Sequence, residues 1–323
     1  MVMVSYLPPR WLPNGHLQTI YPALFLKQPQ SALRRERWRT PDDDFIDVDF
    51  IDGLPGKPFV IMFHGLEGSS SSHYARAMFA ELSARGWSGA MPHFRGCSGE
   101  ANIAPRFYHS GDAQEIDWLV HTLHQQTYQH GNYSALYACG VSLGGNALLR
   151  WLGTMPERAR IIDAACAISA PLDLAAGGAT LSKGINLLYT RHFLQTLKPK
   201  CLNKLKQYPG LFDRDAMLAA SNLYEFDNVV TAPLHGYKNT DDYWHRASAK
   251  YILPQIQTKT LVLNAKNDPF LPARYLPSNA SSAVSLDYPE HGGHVGFVTG
   301  NLPGQLAWLP KKVLHFFTTA TTE

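Results

Sequence analysis

At 323 residues, with 45% hydrophobic and 17% charged residues, the chain has the composition of an ordinary globular protein, long enough for one large α/β domain with an insertion or for two small domains. The formal net charge of +3, with lysines and arginines scattered, gives no case for nucleic acid. The four cysteines, Cys97, Cys139, Cys166 and Cys201, form no C-x-x-C and no zinc spacing. Free thiols in a reducing compartment are therefore expected, with no structural disulfide, metal or cofactor.

Residues 1–33 are proline-rich and read as an arm packed on the body. Met1 to Arg10 lacks the apolar region and cleavage site of a signal peptide. No run approaches the ~18 apolar residues of a membrane span. A cytoplasmic protein is expected, and peripheral membrane contact is compatible with this pattern. Arg35 to Arg39 reads as a strand. Phe45 to Ile51 alternates apolar and acidic residues, as a half-exposed strand does. Phe59 to Phe63 is a continuous apolar run of buried-strand length, followed by His64-Gly-Leu-Glu-Gly68. Tyr74, Met78 and Leu82 repeat at helical spacing until Gly86, and Trp87 to Met91 is the next strand. Asp112 to His124 carries Ile116, Leu119, Val120 and Leu123 on one helical face.

Next comes Ser134 to Gly140, an apolar strand, running into Gly140-Val-Ser-Leu-Gly144. After it, Ala147, Leu148 and Trp151 repeat at helical spacing. G-x-S-x-G alone is common in ordinary turns, but strand, motif and helix together make a nucleophile elbow, which exposes a strained serine at the top of a sheet. Strands Ile161 to Ser169, Lys259 to Asn264 and Ala283 to Tyr288 follow, with a final helix over roughly Gln305 to Phe317. Strands alternating with helices imply βαβ units and a mostly parallel central sheet flanked by helices. Residues from about 174 to 251 break this rhythm. They read as a helical, aromatic and leucine-bearing insertion, placed where a cap over an active site would sit and suited to an apolar acyl pocket. Lys198 to Lys206 reads as a solvated helix face, with an interfacial patch as the other option.

A serine nucleophile needs a histidine base and an acid that orients it. Asp268 follows one strand in Asn267-Asp268-Pro269, and His294 follows the last strand in a Gly-Gly-His-Val-Gly loop, so the order Ser142, Asp268, His294 is that of α/β-hydrolases. Asp173 is the rival acid and His291 the rival base. The oxyanion of the tetrahedral intermediate needs preorganised N–H donors, here the backbone N–H groups of Leu66 and Leu143. A serine at the elbow argues against dehalogenase and epoxide hydrolase chemistry, which put a carboxylate there. No P-loop or dinucleotide-binding glycine motif follows a strand.

The chain resembles the YheT-like α/β-hydrolases. The resemblance rests on Asn14-Gly-His-Leu-Gln-Thr19, Phe63-His-Gly-Leu-Glu-Gly68, His93-Phe-Arg-Gly-Cys-Ser-Gly-Glu100, Tyr108-His-Ser-Gly111, Ser142-Leu-Gly-Gly-Asn146, Ala265-Lys-Asn-Asp-Pro-Phe270 and Glu290-His-Gly-Gly-His-Val-Gly-Phe297, which span nearly the whole chain. It implies an α/β-hydrolase fold with a helical cap and the triad Ser142, Asp268 and His294. It also adds weight to Arg95, His109 and Asn146. From the residues alone, Arg95 either holds a carboxylate or caps a loop, and Asn146 braces the elbow.

These readings predict one domain over residues 1–323, with an arm over about 1–33 and a cap insertion over about 174–251. The predicted activity is cleavage of short- to medium-chain acyl esters, monoacylglycerols and other lipid esters among them, through an acyl-enzyme on Ser142. The partner is a small-molecule ester with an apolar acyl chain. An acyltransferase with the same triad, and a non-catalytic binding module, remain as alternatives. Physiological ester and oligomeric state are not legible.

Overall fold

The computed structural model describes residues 5–26, 31–130 and 133–320, without the side chains of 127–130. In chain order the elements are α1 (Gly15–Leu24), β1 (Arg34–Arg39), β2 (Phe45–Ile51), β3 (Phe59–Phe63), α2 (His73–Ala84), β4 (Ser88–Pro92), α3 (Ala113–His130), β5 (Leu136–Val141), α4 (Leu143–Thr154), α5 (Pro156–Ala159) and β6 (Ala164–Ile168). The chain then makes α6 (Leu174–Leu181), α7 (Leu187–Gln207), α8 (Arg214–Ala219), α9 (Leu223–Phe226), α10 (Ala232–Leu234) and α11 (Thr240–Ala247). It returns to the sheet as β7 (Thr260–Leu263) and β8 (Val284–Asp287), and ends in α12 (Trp308–Ala320).

The eight strands form one sheet in the order β1-β2-β4-β3-β5-β6-β7-β8. β1, β2 and β4 pair antiparallel, and every pair from β4 through β8 is parallel. This is the α/β-hydrolase arrangement, with helices on both faces because parallel strands must be covered on both sides. Alternation along the strands sorts the core. Phe59, Ile61 and Phe63 of β3 join Ile116 and Leu119 of α3 and Leu148 and Trp151 of α4. Val60 and Met62 turn the other way, onto Phe79 and Leu82 of α2 and Leu314 and Phe317 of α12. Burying a side chain of this size contributes about 1.5–3 kcal/mol.

The predicted strands β3, β4, β5, β7 and β8 agree with the structure to within a residue or two. The helix predicted over Asp112 to His124 continues to His130, and the last helix begins at Trp308 rather than Gln305. The first thirty-three residues hold a helix, α1, that their prolines concealed. Asn14 caps it by accepting from the Leu17 N–H at 3.0 Å.

Two expectations about charge are corrected. β2 is not half exposed: the Asp47 and Asp49 side chains are only 3% and 5% accessible. Their cross-strand partners in register on edge strand β1 are Arg37 and Arg35, which clamp them bidentately at 2.6–2.9 Å. Burial raises the Asp49 pKa, but hydrogen bonds from Arg35, His93 and Ser70 outweigh it and hold the carboxyl well below the usual range. Nor is Lys198 to Lys206 a solvated face. Lys204 is buried and donates to the carbonyls of Asn102 at 2.5 Å and Ala104 at 2.9 Å, and Lys200 pairs with Glu67 at 2.7 Å.

Candidate active site

The C-terminal ends of β5, β6 and β7 are level, with Val141 opposite Ile168 and Ile168 opposite Leu263. The ladder continues one step beyond them. Ser142 N–H donates to Ile168 O, and Ser169 N–H to Leu263 O, each at 2.8 Å. The turns after these strands therefore open on one edge of the sheet, as ligand sites in open α/β sheets do.

Ser142 occupies φ 51°, ψ −121°, a region a side-chain-bearing residue rarely adopts. The flanking glycines explain how the turn closes. A Cβ on Gly144 would collide with the Phe63 and His64 carbonyls, and one on Gly140 with the backbone of Gly144 and Gly145. Ser142 Oγ lies 2.9 Å from His294 Nε2, and His294 Nδ1 lies 2.9 Å from Asp268 Oδ2. With Asp268 as acceptor, Nδ1 carries the proton and Nε2 is free to accept from the serine hydroxyl. The second Asp268 oxygen accepts from the Phe270 N–H at 2.8 Å, and the Phe270 ring stacks on His294 at 4.0 Å between centroids. The carboxylate is 1% accessible and the imidazole 11%.

The rivals stand elsewhere. Asp173 caps α6 through the Ala176 N–H at 3.1 Å and pairs with Lys250 at 2.5 Å. His291 contacts Asn267 Nδ2 at 3.3 Å on the exposed side of its loop.

The loop 64–68 is held on both sides of Leu66. Gly65 N–H donates to the Tyr74 hydroxyl at 3.0 Å and Glu67 N–H to the Tyr108 hydroxyl at 2.8 Å. Between them the Leu66 N–H has no partner among the described residues. Leu143 N–H, first in α4, is likewise free, as helix-start amides are. His64 beneath the loop is buried. Its Nε2 accepts from Phe94 N–H at 2.9 Å and its Nδ1–H donates to Gly65 O at 2.7 Å. Burial lowers its pKa to about 3, so the ring is a neutral brace.

The arm supplies residues that sequence reasoning did not single out. Gln18 Oε1 accepts from Asn267 Nδ2 at 3.0 Å and from Gly292 N–H at 2.8 Å, while Thr19 Oγ accepts from His294 N–H at 2.8 Å. Helix α1 thus fastens the loop that carries Asp268 to the loop that carries His294. The signal was present as Gln18-Thr19 just inside a capped helix start, but nothing local says where those side chains go. Replacing Gln18 with leucine strips buried Gly292 N–H of its partner and removes one of the partners of Asn267. The expected result is a folded protein whose kcat falls about tenfold to a hundredfold through misplacement of His294. Steady-state kinetics beside a thermal melt checks this, and an unchanged kcat would refute it.

Arg95 binds carboxylates, but the protein's own: buried Asp44 at 2.8 Å and Glu115 at 2.5 Å, and exposed Asp42 at 2.9 Å. Asn146 is a brace, joining α4 to Ser110 O at 2.9 Å, Ala247 O at 2.8 Å and Ala249 N–H at 3.0 Å. His109 lines the cavity described next.

Ser142 and His294 face a cavity of about 140 Å³, far more than the roughly 10–15 Å³ that a single water needs. Its walls carry Leu181, Phe193, Leu197, Phe226 and Val230 from the helices between β6 and β7. Among the described residues no cluster of three or more His, Cys, Asp or Glu is placed to hold a metal ion. All four cysteines are free thiols. No helix among the described residues is long and apolar enough to cross a membrane.

The chain is 37% identical over 322 residues to "Putative esterase YheT" of Escherichia coli, a match covering 98% of this chain and 93% of that protein. The chain belongs to the YheT-like family of α/β-hydrolase-fold esterases. A second relative, "Phospholipase ABHD3" of Homo sapiens, is 27% identical over 328 residues, covering 98% of this chain and 79% of its own length. Among solved structures, the Pyrococcus furiosus esterase Pf2001 superposes with a TM-score of 0.57 at 15% identity, covering 98% of each chain, which shows the shared fold. No family model matches the chain. This member of the YheT-like family is a carboxylic ester hydrolase.

Proposed function

We propose that the protein is a serine esterase acting through an acyl-enzyme on Ser142, on esters with an apolar, short- to medium-length acyl chain. One observation carries the reading: the continuous line of hydrogen bonds from Ser142 through His294 to Asp268, opening onto an apolar cavity. In this reading His294 takes the Ser142 proton as the oxygen attacks the ester carbonyl, and Asp268 stabilises the imidazolium. The N–H groups of Leu66 and Leu143 receive the oxyanion. His294 then protonates the leaving alcohol, and water activated by the same ring releases the acid. The helical segment over residues 174–251 serves as a cap that supplies the acyl-binding wall, and Gln18 and Thr19 of α1 hold the triad loops together. The likeness to a phospholipase supports lipid esters as the natural class.

The test is a p-nitrophenyl ester series from acetate to palmitate. Turnover should peak at a short or medium chain and fall at palmitate. A folded protein with no turnover at any length would defeat the reading, and a rate rising steadily to palmitate would defeat the chain-length assignment.

A further inference from the structure

The cavity is apolar apart from the triad and a few polar groups, most of which already satisfy one another. Glu67 pairs with Lys200. Asp227 accepts from Thr231 Oγ at 2.6 Å and from Trp244 Nε1 at 2.8 Å. The Tyr243 hydroxyl accepts from Ser110 N–H at 3.0 Å.

Two histidines on the same wall are different. His109 lies in the loop before α3 and His235 at the end of α10, and their ring centroids are 4.2 Å apart. Gly111 N–H donates to His109 Nδ1 at 3.1 Å, so a neutral His109 carries its proton on Nε2. That Nε2–H has no hydrogen-bond partner among the described residues: Asp112 Oδ2 is 3.8 Å away and pairs with Arg106. His235 Nε2 is buried without a hydrogen-bond partner among the described residues. Burial, with Arg106 nearby, lowers the His109 pKa to about 3. Burial, then His109 and Arg106, does the same for His235. Both rings are neutral near pH 7 and offer no charge to an ionic ligand.

A buried polar atom left unpaired is costly, and such atoms are uncommon in native proteins. His235 Nε2 is one, and beside it on the cavity wall stands the His109 Nε2–H, so that one nitrogen can accept and the other donate. A hydroxyl group both donates and accepts, and so answers both nitrogens. We infer that His109 and His235 form a polar subsite that recognises an uncharged hydroxyl on the ester substrate. This rests on the serine esterase reading and narrows its substrate class to hydroxyl-bearing esters. The hydroxyl can belong to the alcohol half, as in a monoacylglycerol, or to the acyl chain.

The experiment compares kcat/KM for propyl octanoate, monooctanoylglycerol and the propyl ester of 8-hydroxyoctanoic acid. One of the two hydroxylated esters is expected to exceed propyl octanoate by about tenfold or more, because a site built to bond a hydroxyl discriminates against its absence. Which one does so tells where the hydroxyl lies. In His235→Phe and His109→Phe the preference ratio should fall toward one, whatever each change does to the propyl octanoate rate. His235→Gln, which keeps a hydrogen-bonding group, should restore part of it. Equal kcat/KM for all three esters in the wild type, or a preference that survives in both phenylalanine variants, would overturn the subsite alone. Inactivity of the wild type toward all three would overturn the esterase reading, and the subsite with it.

Discussion

Replacing Ser142 with alanine should abolish turnover, with kcat falling about 10⁵- to 10⁶-fold while the protein stays folded. The loss is large because no other nucleophile stands in its place: Ser142 Oγ is the group 2.9 Å from His294 Nε2. The fold should survive because α4 starts without a hydrogen bond from the Ser142 side chain. Alanine also keeps the backbone N–H that bonds Ile168 O. The small residual rate would report the Leu66 and Leu143 amides and the cavity alone. Active-site titration with a fluorophosphonate, together with circular dichroism, checks both halves. A variant that still reacts with the fluorophosphonate, or still turns over p-nitrophenyl butyrate at more than a hundredth of the wild-type rate, would mean that Ser142 is not the nucleophile.

The second large effect is at Asp268. Changing it to asparagine keeps size and packing but presents an amide where Nδ1–H now donates at 2.9 Å. The imidazole is then driven to the other tautomer, with its proton on Nε2 facing Ser142, and can no longer accept. A loss of about 10⁴-fold in kcat with little change in KM is expected. The comparison is Asp173→Asn. Asparagine can keep the α6 cap, so only the ion pair with Lys250 is lost, which should cost up to about 1 kcal/mol of stability and leave the chemistry running. If Asp173→Asn loses activity while Asp268→Asn keeps it, the acid has been misassigned.

Local pattern made much of this protein readable. The apolar run Phe59 to Phe63 is a buried strand because both its faces are covered, and such strands need no alternation. The elbow was readable because it is a property of five consecutive residues: the glycines must lack Cβ atoms for the turn to close on the serine. Asp268 and His294 could be chosen by order because each follows a parallel strand whose end the sheet brings to one edge. Where the reading failed, the deciding partner lay on another element of the fold. Alternation in Phe45 to Ile51 suggested exposure, yet Arg35 and Arg37 across the register make burial of Asp47 and Asp49 tolerable. The lysines of α7 looked solvated until Glu67 and the carbonyls of Asn102 and Ala104 met them.

The sequence by itself determined the strand and helix succession, the strained serine turn and the chain order in which a candidate acid and a candidate base follow it. These follow from side-chain periodicity and steric limits that act over a few residues. Only the tertiary structure decided that α1 ties Asn267 to Gly292 and His294, that Arg95 serves the protein's own carboxylates, and that His109 and His235 share a wall of the cavity. Hydrogen bonds and ion pairs depend on distance in space, and a chain carries no local mark of which polar group will complete a partner hundreds of residues away.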